Sequence, residues 1–545
     1  MAARARPSEA RGFRKLTRGI VRRDRLRLGL WLVAVPAVTL PSLAAYGSVF
    51  ETEQSAQARA ALMATPTGTV FGGPGYGLDN YTAGAMVANE LLLFLDITVA
   101  LAALLLVTHM TRREEETGRL ELVGAAPVGR RAGLAAAVAV TAAEVTGIGL
   151  ALGFGAMLYP ELDPTDCLAL GLAIAATGLA FTGLGALAAQ VSGTGRGAAG
   201  LGAAVLGGAF LARAVGDTAA ARGDSAWASW LSPLGWPNQT RVFVDLRWWP
   251  ILLSLAFALV TGAAAAFLAA RRDHGAGLVA PRAGPARASA ALAGPLGLVW
   301  RRTRVSLLGW TAGAVTLALC MGPVLGSLSD YLTDNPVMSE WLGLDPAAGA
   351  SAVIEGFTAL IILYLAMLLA ASAISAVGAF PGDERQGFAA RQLAEPVARE
   401  RLLGATLGGA TASTLVGFGL AAGAYVLVVA LNPTVSPGLA ADVAAASLRA
   451  LPGLVATVAL AGFLVAAFPR LAALSWAPFA YAFAHVILGP ALKLPDWTRY
   501  LSPLSAVPYS PATAPDWPAL ATLLVAAAAL AFAAFRRFRT RDLLN

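Results

Sequence analysis

Apolar runs of roughly twenty residues recur along the whole chain, and that length matches the thickness of a lipid bilayer crossed by a helix. No water reaches the backbone inside lipid, so each segment must satisfy its own N–H and C=O groups, and helices do so. Twelve spans are expected. In the first half they are Leu28–Gly47, Ala88–Met110, Ala132–Leu158, Cys167–Val191, Gly197–Val215 and Trp249–Ala270. The second half gives Val305–Leu328, Phe357–Phe380, Leu402–Leu431, Val443–Phe468, Leu471–Leu492 and Pro518–Phe535. Only 13% of residues are charged, against about 25% in soluble domains. The expected fold class is an all-α polytopic membrane protein.

The rare residue types exclude several kinds of chemistry. The only lysines are Lys15 and Lys493, each followed by leucine, so no Gly-Lys-Ser/Thr phosphate loop exists here. Any ATP-driven work must therefore come from a partner. Two cysteines, Cys167 and Cys320, and three histidines supply neither a disulfide framework nor a metal constellation nor a nucleophile pair. The chain is not expected to be an enzyme.

Arginine sets the orientation. With both termini in the cytoplasm, the inner segments hold 32 of the 40 Lys and Arg residues, as the positive-inside rule requires. The net charge of +8 is then a topology signal, and no nucleic-acid partner is implied. Ser8–Arg27 is basic and poor in apolar residues, so it is no signal peptide. It reads either as an interfacial helix on the inner leaflet or as a plain topogenic tail.

A longer period runs through the sequence. Glu115, Gly118, Pro127, Val128 and Arg130 recur as Glu384, Gly387, Pro396, Val397 and Arg399, at an offset of 269 throughout. Leu231-Ser232-Pro233-Leu234 recurs as Leu501-Ser502-Pro503-Leu504, Trp249-Pro250 as Trp517-Pro518, and Trp31 as Trp310. The halves are therefore duplicates of six helices each, and an even number makes them parallel repeats. This divides the chain into a basic N-terminal segment (1–27), a first repeat (28–270), a cytoplasmic linker (271–300), a second repeat (301–535) and a tail (536–545).

In both halves the repeated motif falls in the cytoplasmic loop between the second and third helices. Charges flank Arg119–Val123, and Pro127 would stop a helix there. A short surface helix with fixed ends is expected. Topology alone needs no glycine or proline at constant offsets.

These loops and the repeated Ser-Pro-Leu segments resemble the permeases of ATP-binding cassette exporters of the ABC-2 class, above all the actinobacterial polyketide-antibiotic (tetronasin-type) exporters. The resemblance covers nearly the whole chain. It implies export of hydrophobic small molecules through the plasma membrane, with a cytoplasmic ATPase partner, two copies of it, docked on the loops. ATP and magnesium would be bound by that ATPase, and no cofactor by this chain. By the same likeness Glu115, Gly118, Arg119, Glu121, Pro127 and Arg130 form one coupling element, and Glu384, Gly387, Pro396 and Arg399 the other. The second copy departs from the first, with Phe388 and Ala390 at the positions of Arg119 and Glu121. Trp227–Trp236 and Trp497–Pro508 resemble the re-entrant outer segments of such exporters.

Ionisable residues within spans are costly against lipid. Asp96, Glu144 and His485 are candidates for a transport pathway, with helix-to-helix hydrogen bonding as the alternative; Glu90 and Glu355 sit near outer helix ends. The outer segment Gly47–Thr82, with its glycine-rich Phe71–Leu78 stretch, reads as a flexible loop. A competing function is a proton-coupled secondary transporter, which also suits two six-helix halves. Its Gly-x-x-x-Asp-Arg-x-Gly-Arg-Arg loop is not matched by Arg112–Arg119.

Overall fold

The computed structural model describes residues 12–49, 53–118, 126, 128–273, 275–279, 286–287, 289–292, 294–321, 325, 350–433, 435–492 and 495–544. The described residues form helices and no strand. The chain divides into two compact units, Met1–Gly284 and Pro285–Asn545.

Unit 1 begins with α1 (Phe13–Val49), followed by α2 (Glu53–Met63), α3 (Pro66–Gly72), α4 (Ala83–Glu90), α5 (Leu92–Met110) and the short α6 (Arg112–Glu116). After them come α7 (Ala132–Ala156), α8 (Pro164–Val191), α9 (Gly195–Ala221), α10 (Trp227–Trp230) and α11 (Trp249–Arg271). The most buried long helix is α8, which packs against α5, α7 and α11, while α1 lies along α7. Asp163 caps α8 by accepting from the amides of Thr165 and Asp166, and Pro164 sits where its missing N–H costs nothing.

Unit 2 contains α12 (Pro295–Met321), α13 (Ala350–Gly378), α14 (Phe380–Arg385), α15 (Phe388–Leu393) and α16 (Arg399–Ala430). It continues with α17 (Leu439–Leu448), α18 (Ala450–Ala467), α19 (Ala477–Leu492) and α20 (Trp517–Thr540). The packing scheme is that of unit 1: α18 meets α13 and α20, and α12 lies along α16.

Eleven helical segments among the described residues are long and apolar enough to cross a membrane. The expected eleventh span, Leu471–Leu492, is the exception. Its first part is a 3-10 turn, Pro469–Trp476, and α19 has 16 residues. At 1.5 Å per residue it measures about 24 Å, short of a hydrocarbon core of about 30 Å.

The basic segment Ser8–Arg27 enters α1 at Phe13, and that helix runs without interruption into the first expected span. One expectation is corrected: the outer segment is not a flexible loop over its described part. It holds α2 and α3, Arg59 of α2 is ion-paired with Glu90, and the Tyr81 hydroxyl donates to the same carboxylate. Tyr76 donates to Gln239 at 2.7 Å, and the Asn89 amide donates to the Tyr76 carbonyl at 2.9 Å. Buried polar partners fix this segment onto residues 238–244.

The α7–α8 crossing depends on glycine. A Cβ at Gly171 would lie 2.5 Å from the Gly149 carbonyl oxygen, and one at Gly149 would lie 2.4 Å from the Gly171 oxygen. Lipid provides no hydrophobic force between helices, so close backbone approach supplies the attraction. Gly171→Ala is expected to lower the thermal unfolding midpoint of the detergent-purified protein. The cost is about 1–3 kcal/mol, that of overpacking. Gly200→Ala, at a position open to space, should leave the midpoint near that of the parent.

Candidate functional site

The arginine-rich end of each unit holds the repeated motif, and its charges turn inward. In unit 1 the Glu115 carboxylate receives the Arg272 guanidinium, just past the end of α11, and that of Arg112 in its own helix. In unit 2 Glu384 receives Arg541, just past the end of α20, at 2.7 Å. Arg130 donates to the Arg272 carbonyl and Arg399 to the Arg541 carbonyl, each at 2.7 Å. Arg23 of α1 pairs with Glu114 at 2.6 Å, and Arg302 of α12 pairs with Asp383. Every bond in this set except that of Arg112 recurs at the offset of its parent residues.

The geometry accounts for the motif's spacing. Glu115 and Glu384 bind the last helix, and Gly118 and Gly387 three residues on adopt φ of 71° and 73°. The amide of each glycine bonds back to the glutamate carbonyl, at 3.1 and 2.9 Å. A residue with a Cβ pays about 1–2 kcal/mol in that left-handed conformation. The glycine therefore ends one helix and redirects the chain beside it.

In the second copy the chain then forms α15, with Ala389 buried and Phe388, Ala390 and Arg391 exposed. The surface helix expected at Arg119–Val123 lies outside the described residues, and α15 occupies the corresponding stretch of the second copy. Arg302 and Arg391 approach the Phe388 ring at 6.0 and 5.8 Å. In the first copy Arg119, Glu121 and Pro127 lie outside the described residues. Glu115, Arg130, Glu384 and Arg399 thus act within their own units, and the surface open to a partner comes from their neighbours. Pro396 is exposed at the end of the second loop.

Sequence reasoning missed Arg272, Arg541, Arg23 and Arg302. The signal was present: Arg272 and Arg541 share the offset of 269, and Arg23 and Arg302 share that of Trp31 and Trp310. Unit 1 carries an addition without a counterpart. Buried Arg112 donates to the carbonyls of Gly193, Gly275 and Ala276, stitching residues 275–279 to the α8–α9 turn. Pro381 occupies the matching place in unit 2.

The candidate pathway residues do not converge. Asp96 is sealed near the far end of unit 1, beside Thr177 and within the field of Arg213. Glu144 faces α1 at Leu32. His485 stacks on Tyr481 in unit 2 with 6.0 Å between ring centres. The repeat counterpart of Glu144 is Ser413, and there α12 and α16 leave a groove of about 350 Å³. Val299, Trp300, Leu307, Leu308, Thr311 and Val416 are among its walls. In unit 1 Leu32 leans on Gly147 at the corresponding place; in unit 2 the smaller Thr311 faces Gly417.

The repeated Ser-Pro-Leu segments are buried turns. The amides of Leu234 and Leu504 donate to the hydroxyls of Ser232 and Ser502, at 3.2 and 3.3 Å. Ser232 also donates to the Ala209 carbonyl, and the Trp236 indole to the Trp230 carbonyl. These segments precede α11 and α20 in the chain.

Membrane-length helices in two units of like packing, with charged loops bolted at one end, define a multi-pass membrane protein. Comparison with known proteins gives the family. A family model described as "Multidrug efflux system permease Rv1217c, C-terminal domain" matches residues 20–271 and 292–539. The Multidrug efflux system permease protein Rv1217c of Mycobacterium tuberculosis (strain ATCC 25618 / H37Rv) is 35% identical over 501 residues, covering 90% of this chain and 88% of that protein. The chain belongs to this family of multidrug efflux permeases.

The bolted loops make a quantitative expectation. Glu384→Gln leaves Arg541 buried without its charge partner, which costs about 3–5 kcal/mol when such a pair is broken. Hydrogen exchange of the amides in α14 and α15 should rise sharply, with exchange in α18 unchanged. Parent-like protection in α14 and α15 would show that the ion pair does not hold the loop.

Proposed function

We propose that this chain is the transmembrane subunit of an ATP-driven exporter of hydrophobic small molecules, powered by a separately encoded ATPase. In this reading it has twelve spans in two parallel six-helix repeats, with both termini in the cytoplasm, and it is similar to the tetronasin-type exporters. Two ATPase copies would engage the two repeated loops.

The reading rests on the bolted loop. A docked partner can drive helices only through a connection that does not give, and here each loop is tied to the first and last helices of its unit at once. The ion pairs supply stiffness, while exposed Arg113 and Glu116 in unit 1, and Phe388 and Arg391 in unit 2, supply contact surface. Rim charges at interfaces chiefly set association rate and register, while a buried aromatic anchors affinity.

Phe388→Asp with Arg391→Glu is expected to leave folding intact and to reduce co-purification of the proposed partner ATPase by about tenfold or more, the effect of losing one interfacial anchor. Undiminished recovery of the complex, with undiminished export, would sink the docking role. Export that survives loss of the ATPase but collapses with the proton gradient would replace this reading with secondary transport.

The groove between α12 and α16 is the proposed binding place for substrate, because its volume falls within the range of small-molecule pockets and its walls are apolar. Thr311→Leu installs the residue that fills the equivalent position in unit 1. Efflux of hydrophobic dyes should drop several-fold at equal expression, with ATPase co-purification unaffected. Dye efflux equal to the parent would place the substrate elsewhere.

A further inference from the structure

The first helix of each unit carries a run of arginines, and these divide between two duties. In α1, Arg23 pairs with Glu114 and Asp24, and Arg27 reaches the other oxygen of Asp24 at 3.4 Å. In α12, Arg302 pairs with Asp383. Arg22 and Arg25 of α1 are left over, and so are Arg301 and Arg304 of α12. All four are exposed, and none bonds to a described residue. The leftover pairs stand at the same offset as Trp31 and Trp310.

Within each pair the arginines are three residues apart, so on a helix their side chains are neighbours. The same face then continues into exposed hydrocarbon. In α1 it carries Leu26, Leu30 and Val33, at 83%, 66% and 64% exposure, and in α12 Val305 and Leu308, at 75% and 63%. Trp300, half-exposed, stands beside Arg301. Cations followed by aliphatic side chains along one helix face, with a tryptophan at the junction, are the profile of a water–lipid boundary. A surface shaped for a folded partner has no reason to run on into side chains that face acyl chains. The positive-inside rule counts charges near a span and fixes no helical face, whereas here the face is the same in both units.

We propose that Arg22 with Arg25, and Arg301 with Arg304, are two equivalent clamps for the phosphate of an anionic phospholipid. Each guanidinium offers parallel N–H donors that match two phosphate oxygens, and a pair one turn apart can hold a single phosphodiester together. The acyl chains then lie along the exposed aliphatic face of the same helix. A zwitterionic lipid brings its own cation to the place and loses most of that attraction. Arg23 and Arg302, one residue away, fasten the same helical turn to the repeated loops through Glu114 and Asp383. Anionic lipid therefore bears on the turn to which each loop is tied. The inference is independent of what drives export.

The test uses the full chain, purified in mild detergent, freed of lipid and titrated with phosphatidylglycerol or phosphatidylcholine, with bound lipids counted by native mass spectrometry. The parent should retain one phosphatidylglycerol at each clamp in preference to phosphatidylcholine. Arg22→Gln with Arg25→Gln should weaken one site and Arg301→Gln with Arg304→Gln the other, each by about thirtyfold, since a surface cation contributes roughly fivefold. Lipid-free unfolding midpoints should match the parent, because these side chains bond to no described residue. Arg14→Gln with Arg18→Gln removes the same charge from exposed positions of α1 that have no basic counterpart in unit 2, and should bind like the parent. An equal loss in that control would show diffuse attraction and overturn the clamps, as would equal retention of phosphatidylcholine by the parent. Undiminished phosphatidylglycerol binding in both paired variants, with reduced co-purification of the proposed ATPase, would assign the arginines to a protein partner instead. Undiminished binding with the complex intact would leave them no ligand at all and equally overturn the proposal.

Discussion

A carboxylate and a guanidinium withdrawn from water must meet, because either alone pays a desolvation cost that nothing nearby returns. Glu115 with Arg272, and Glu384 with Arg541, meet where a loop between two helices touches the end of a third. The loop's other features follow from that pairing. The glycine three residues on must bend the chain away from the bonded turn, and the arginine beyond the proline returns to the same helix end by its carbonyl. Arg23 and Arg302 then bring the first helix of each unit to the same point.

Around this shared frame the units have diverged. Unit 1 closes the space between its first and third long helices with Leu32 and carries Glu144 there, whereas unit 2 opens a groove beside Ser413 and Thr311. Unit 1 crosses α7 and α8 on bare backbone at Gly149 and Gly171. The counterpart of Gly149 is Phe418, a core residue of unit 2. The Arg112 network to residues 275 and 276 belongs to unit 1 alone among the described residues. One unit therefore fills the space that the other leaves open.

Most of the spans were legible because lipid imposes a length on apolar runs that no packing detail can change. The duplication was legible because identical spacing survived where side-chain identity had not. What escaped had weaker local signals. Pro469–Trp476 is as apolar as a helix, and only its backbone shows the 3-10 turn. Arg213 and Asp217 are an i, i+4 pair, but Asp217 fell outside a span expected to end at Val215. The inward direction of Glu115 and Arg130 could not be read from a loop rich in charges, since a solvated loop has the same composition. Arg272 and Arg541 lay in segments that looked like mere topological anchors.

The place of Arg541 has a consequence for heredity as well as for mechanics. It lies past the last residue of α20, Thr540, outside the apolar part of that helix. Yet it supplies both the guanidinium that neutralises Glu384 and the carbonyl that receives Arg399. A premature stop codon just before it would spare every hydrophobic segment while unfastening one loop from its lever. Hydropathy alone would call such a residue dispensable, although a whole loop is fastened through it.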